Sequence, residues 1–226
     1  MIMDVGRDMP NLLNKISPSI LTADFAILGE QIKELEANGI QKLHIDIMDG
    51  HFVDNISFGL PILSSIRKIT KMFLDVHLMI SKPRHFAERF IQAGADSLTF
   101  HYEACQNSDE IFETIRLIKR HKRGVGIAIN PETNIENIFE FLGEIDLALI
   151  MTVNPGQGRQ KIIESTLDKA IALKNHSQYD VKTQIDGGVN AQTLPFILEK
   201  PIDDYVMGSA IFDGNITQNI KKISLF

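Results

Sequence analysis

A chain of 226 residues with 44% hydrophobic and 23% charged content has the composition of a globular protein able to bury one substantial α/β core or two small ones. Its formal net charge of −6, with no compensating Lys/Arg block, excludes a phosphate-tracking nucleic-acid surface, and no apolar run reaches the roughly 20 residues a membrane span needs. The lone cysteine, Cys105, excludes an internal disulfide framework and fits a reducing compartment, so the expectation is a cytoplasmic protein whose partner is a small molecule.

Residues 1–15 carry Asp4, Arg7, Asp8 and Pro10, which interrupt any apolar signal core, and read as an N-terminal extension. From residue 16 onward, β-rich runs alternate with amphipathic stretches. Strands are predicted over 16–21, 42–48, 73–79, 97–101, 125–129, 147–152, 181–185 and 204–207. The first intervening stretch, 24–37, sets Phe25, Leu28, Ile32 and Leu35 on one helical stripe. Parallel strands joined by crossover helices follow from this rhythm, and about eight such units match a single (β/α)₈ TIM barrel spanning 16–226. No Pro/Gly/Ser-rich break marks a second domain. A doubly wound sheet is the alternative, but it usually opens with a glycine-rich dinucleotide loop, and Ser17-Pro-Ser-Ile-Leu21 is not one.

The chemistry-bearing residues stand at strand ends. In 42–48, period-two alternation places His44, Asp46 and Met48 on one face; in 73–79 it does the same for Asp75, His77 and Met79. With Asp186, the pair His44 and His77 and the carboxylate Asp46 form a complete ligand set for one divalent metal. Any one of them alone reads equally well as a hydrogen-bonded structural residue, but buried chargeable groups are costly unless paired or bound to an ion. Two nitrogen and two oxygen donors suit Zn²⁺ first and also Fe²⁺, Mn²⁺ or Co²⁺. A second signal is glycine-rich: Gly156, Gln157, Gly158 and Arg159 follow the sixth strand, Gly187 and Gly188 the seventh, Gly208 and Ser209 the eighth. Such turns let backbone N–H groups approach an anion, and barrels often bind phosphate after strands seven and eight.

Several segments in order carry a family resemblance: Ser17-Pro-Ser-Ile-Leu-Thr-Ala-Asp24, His44-Ile-Asp-Ile-Met-Asp-Gly-His-Phe52, Asp75-Val-His-Leu-Met79, Met151-Thr-Val-Asn-Pro-Gly156, Ile185-Asp-Gly-Gly-Val189 and Gly208-Ser-Ala-Ile-Phe212. Through them the chain resembles ribulose-phosphate 3-epimerases from residue 16 to about residue 212. The resemblance implies that His44, Asp46, His77 and Asp186 hold a metal and that Asp46 and Asp186 also serve as acid and base. It further implies that Ser19, His77, Gly156, Gln157, Gly158, Arg159, Gly187, Gly188, Gly208 and Ser209 hold a ketose phosphate, that Met48, Met79 and Met151 line the reacting centre, and that the protein is a homo-oligomer. The chemistry is coherent: inverting a carbon beside a ketone needs two proton carriers on opposite faces, and the enediolate left by proton removal needs nearby positive charge.

The chain departs from the usual Asn-Pro-Gly-Phe-Gly-Gly-Gln loop, reading Asn154-Pro-Gly-Gln157-Gly-Arg159-Gln160, which leaves D-allulose 6-phosphate as an alternative to D-ribulose 5-phosphate. Related phosphate-binding barrels with lyase chemistry carry Asp-x-Lys-x-x-Asp on the second strand. Here His44-x-Asp46-x-x-Asp49 has an aspartate where that lysine would stand. A non-catalytic sugar-phosphate binder would have no use for two carboxylates and two imidazoles. Asp75 could orient a neighbouring ligand, His101 stands at a barrel end that could reach the site, and Asp49 reads as a turn residue.

Overall fold

In the computed structural model, residues 12–226 are described; most of the 1–15 extension lies outside them. Its last four residues, Leu12–Lys15, form a 3₁₀ turn whose Leu12 and Leu13 pack against the core. The strands that follow are β1 (Ile16–Pro18), β2 (Lys42–Met48), β3 (Phe73–Met79), β4 (Ser97–His101), β5 (Gly124–Ile129), β6 (Leu147–Met151), β7 (Lys182–Asp186) and β8 (Asp204–Met207). Between and after them run α1 (Leu28–Ala37), α2 (Leu60–Ile69), α3 (Pro83–Ala93), α4 (Ser108–Arg120), α5 (Asp168–His176), α6 (Leu194–Ile197), α7 (Ser209–Phe212) and α8 (Ile216–Ile223); the fifth unit is crossed by a 3₁₀ segment, Ile135–Phe141. All ladder pairs are parallel, in the order β1-β8-β7-β6-β5-β4-β3-β2, and an isolated parallel bridge between Ser19 and His44 brings β1 to β2. The predicted TIM barrel is therefore the fold, a ring of eight strands nearly closed at that bridge.

Local chemistry moves two predicted boundaries, and other strand ends shift by a residue. β1 stops at Pro18 because Ser19 caps a 3₁₀ turn, its Oγ accepting the Leu21 N–H at 3.3 Å. α1 starts at Leu28 because Asp24 Oδ1 accepts the Ala26 N–H at 2.9 Å in an Asx turn. β7 runs one residue further than expected and ends on Asp186 itself.

Helices hold to the barrel through apolar stripes. α4 is started by Asn107, whose side chain accepts the Glu110 N–H, carries Asp109 and Glu110 in its first turn and Lys119 and Arg120 in its last, and buries Ile111, Thr114, Ile115 and Ile118. Each buried isoleucine contributes roughly 1.5–3 kcal/mol. The half-exposed Arg84–Glu113 pair between α3 and α4, at 2.7 Å, contributes at most about 1 kcal/mol, so burial and not charge seats α4 on α3. Among the described residues no helix is long and apolar enough to cross a membrane.

Candidate active site

Strand register assembles the site. β2 and β3 run in step, pairing His44 with Asp75, Asp46 with His77 and Met48 with Met79, while β6 and β7 pair Met151 with Asp186. Successive pairs stack up the barrel, so the His44–Asp75 and Asp46–His77 pairs lie below Met48 and Met79, toward the C-terminal end where barrel chemistry resides. One ligand atom from each of His44, Asp46, His77 and Asp186 falls within 4.8 Å of all the others. His77 Nδ1 is 3.1 Å from Asp46 Oδ1 and 3.6 Å from Asp186 Oδ2; His44 Nε2 is 3.3 Å from Asp46 Oδ1 and 3.7 Å from Asp186 Oδ2.

The donor set fits a divalent cation. His44 donates through Nδ1 to Asp75 Oδ2 at 3.0 Å, and its Nε2, fully buried and facing the two carboxylates, has no hydrogen-bond partner. A buried nitrogen left without a partner costs about 1–3 kcal/mol, which a bound cation would offset. Asp75 is itself fixed by Ser97 Oγ at 2.9 Å and Gln184 Nε2 at 3.0 Å. A carboxylate behind the imidazole and a bare nitrogen in front is the arrangement that ligating histidines adopt.

Electrostatics point the same way. Burial alone pushes His44 down, yet the charge of Asp46 beside it, with the charge and hydrogen bond of Asp75, outweighs it and raises its pKa well above the usual histidine value. Burial alone would raise the Asp46 carboxyl, but His44 and His77 together hold it far below the usual carboxylate range. Asp75, likewise opposed by burial, is held down to about 2 by His44 first and then by Gln184 and Ser97. His77 is raised by Asp186 and Asp46 against the pull of burial. His101 goes the other way: burial, with the neighbouring His77, depresses it to about 4.

Above the cluster opens a cavity of about 340 Å³. Asp46, Asp186 and Ser19 lie on its floor with Met48, Met79 and Met151, whereas His44 and His77 sit wholly buried behind them. Ser19 Oγ donates to Asp46 Oδ2 at 2.5 Å, which leaves Oδ1 toward the histidines. The walls are the three glycine loops: Gly156, Gln157, Gly158 and Arg159; Gly187 and Gly188; Gly208 and Ser209. Gly187 (φ 121°) and Gly188 (φ 70°) occupy left-handed backbone, and a Cβ would come within 2.3 Å of Val153 at the first and 2.5 Å of the Ile162 nitrogen at the second. Thr152 Oγ1 donates to the Gly187 carbonyl at 2.6 Å and Asn55 Nδ2 to the Gly156 carbonyl at 2.7 Å, so neighbouring elements hold these loops. Arg159 adopts left-handed backbone (φ 63°) and pairs with Asp213, tying the loop after β6 to the end of α7.

Every residue expected to line the site is thus brought to one barrel end, with His77 contributing from behind. Asp49 is the expected turn residue, accepting both the Ser81 N–H and hydroxyl at 2.8 Å. Sequence reasoning missed Gln184, Glu103 and Asp213. Gln184 is two residues before Asp186 on the same strand face, and Glu103 two after His101; that spacing was the one available signal. Cys105 is half-buried with its thiol pushed up to about 12 by burial, which leaves it unreactive near neutral pH.

Comparison with known proteins gives a consistent picture. A family model described as "Ribulose-phosphate 3 epimerase family" matches residues 15–212. Ribulose-phosphate 3-epimerase of Bacillus subtilis (strain 168) is 44% identical over 202 residues, covering 88% of this chain and 92% of its own. The protein of the same name from Treponema pallidum (strain Nichols) is 42% identical over 214 residues, covering 92% and 96%. Among solved structures, 3-hexulose-6-phosphate synthase from Salmonella typhimurium superposes with a TM-score of 0.72 at 16% identity, covering 93% of this chain and 97% of that one, a likeness of fold alone.

Proposed function

This chain belongs to the ribulose-phosphate 3-epimerase family of isomerases, and from that premise we propose that it inverts C3 of D-ribulose 5-phosphate to give D-xylulose 5-phosphate, with Asp46 and Asp186 as the two proton carriers. The observation that carries the reading is the convergence, within 4.8 Å, of two carboxylates and two buried imidazoles at the floor of a glycine-walled cavity. His44, Asp46, His77 and Asp186 would hold one divalent ion, Zn²⁺ being favoured by the mixed nitrogen and oxygen donors. Such an ion would supply positive charge to stabilise the oxyanion that forms as C3 loses its proton.

The chain's own groups do the rest. Asp46 comes from β2 and Asp186 from β7, strands separated round the ring by β1 and β8, so the two approach a sugar between them from different sides. One carboxylate takes the C3 proton and the other returns a proton to the opposite face. Ser19 holds Asp46 Oδ2 and so orients its carboxylate. Met48, Met79 and Met151, all buried, exclude water above the reacting carbon while accommodating both the tetrahedral and the planar carbon. Gly187, Gly188, Gly208 and Ser209 offer backbone to the phosphate, with the loop from Gly156 to Arg159 completing the wall.

Two experiments follow. Ribulose without its phosphate should show kcat/KM lower by on the order of 10²-fold or more, since remote binding energy positions the reacting carbon. Equal kcat/KM for the two sugars would refute the phosphate subsite. Arg159→Gly relieves left-handed strain and removes a cation from the loop. KM for the phosphate sugar should then rise about two- to fivefold with kcat unchanged, the scale of one exposed charge contact. An unchanged KM would leave Arg159 as a tie to Asp213 only.

A further inference from the structure

His44 and His77 are supported differently. Behind His44 stands a carboxylate, Asp75; behind His77 stands another imidazole. The side of the His77 ring turned away from the ligand cluster presents Nε2, which lies 2.8 Å from Nε2 of His101. His101 is fully buried and its ring stacks on His77 with centroids 4.9 Å apart. Its other nitrogen, Nδ1, lies 3.2 Å from Glu103 Oε2. The placement follows from register: β4 pairs Thr99 with His77, so His101, two residues on, occupies the same face one layer nearer the barrel mouth.

The direction of the protons is set from the carboxylate end. Glu103 can only accept, and its second oxygen already takes the Asn130 N–H at 2.8 Å and the Thr133 hydroxyl. His101 must therefore carry its proton on Nδ1, which leaves Nε2 as an acceptor. His77 must donate to it through Nε2–H. That leaves Nδ1 of His77, 3.1 Å from Asp46 Oδ1 and 3.6 Å from Asp186 Oδ2, as the nitrogen free to offer a lone pair to a cation held among the carboxylates. The anchor is firm, because Lys169 Nζ donates to the carbonyls of Asn130, Pro131 and Thr133 at 2.9, 2.8 and 2.7 Å and so pins the loop that grips Glu103.

We infer that His101 and Glu103 are positioning residues, a two-step relay that locks His77 into the tautomer whose Nδ1 ligates the metal. The inference rests on the metal-site reading above and extends it to residues that touch neither metal nor substrate. Without an acceptor at Nε2, the His77 proton is free to move to Nδ1, where it blocks ligation.

The test is metal affinity, not turnover. Dissociation constants for Zn²⁺ and Co²⁺ are measured by chelator competition for the parent, His101→Leu, His101→Gln and Glu103→Gln, with thermal melting as the control for folding. His101→Leu should weaken metal binding roughly 10–100-fold and alter the visible absorption of bound Co²⁺. His101→Gln, whose side-chain oxygen can accept from His77, should regain most of the affinity, and Glu103→Gln should fall between. A folded His101→Leu protein with parental affinity overturns the relay, as does a glutamine variant no better than leucine. If His101→Leu does not fold, parental affinity in Glu103→Gln overturns it instead. A parent protein that binds neither ion removes the metal site and the relay together, whereas loss confined to the variants supports both.

Discussion

Asp46→Asn and Asp186→Asn are each expected to lower epimerisation of the ketose phosphate by about 10²–10⁴-fold, the contribution of a positioned proton carrier. Both transfers are needed in either direction, so neither variant should invert C3 at an appreciable rate. Exchange need not fail equally: a variant with one working carboxylate can remove and return a proton on its own face, washing solvent deuterium into one epimer without inverting it. Both residues also belong to the ligand cluster, so metal content must be measured in each variant, or a lost ion would pass for a lost base. A variant that keeps its metal and epimerises near the parental rate would show that another group carries a proton.

The second large effect concerns the imidazoles. His44→Ala or His77→Ala should remove most bound metal and most activity while leaving the barrel folded, because each side chain sits beside the cavity and not in the helix–strand core. Circular dichroism and metal analysis on the same sample separate loss of ion from loss of fold. Full activity in a demonstrably metal-free protein would contradict the expectation. The pH dependence has a definite sign. His44 carries a raised pKa in the metal-free protein, burial being outweighed by Asp46 and Asp75, and a protonated ring cannot ligate. Metal uptake near neutral pH should therefore release protons, and affinity should fall as pH drops below that raised value.

Much of this site was legible in the sequence because polar residues inside apolar strands are conspicuous: His44, Asp46 and His77 stand in runs that are buried beyond their first residues, Lys42 and Phe73. The barrel was legible from its rhythm. What stayed hidden depends on facts that strand patterns do not carry. Asp75 was readable as an orienting residue, but that His44 is the ligand it backs is a matter of β2–β3 register, and that Gln184 reaches Asp75 needs the barrel to curl β7 opposite β3. Arg159 and Asp213 are 54 positions apart, and nothing local to either announces the pair. Glu103 lies in the connection after β4, and only the fold sets it against His101 and the loop after β5. The shortening of β1 and the late start of α1 come from single side chains, Ser19 and Asp24, bonding to nearby backbone in competition with the longer elements.

The most direct test of the account is to incubate the purified, metal-replete protein with D-ribulose 5-phosphate and, separately, D-allulose 6-phosphate in D₂O, following both C3 configuration and C3 deuterium by NMR. The account expects D-xylulose 5-phosphate to form from the first sugar, with deuterium entering at C3 as the carbon inverts, at a kcat/KM well above that for the second. Inversion without deuterium, or faster turnover of the six-carbon sugar, would contradict it.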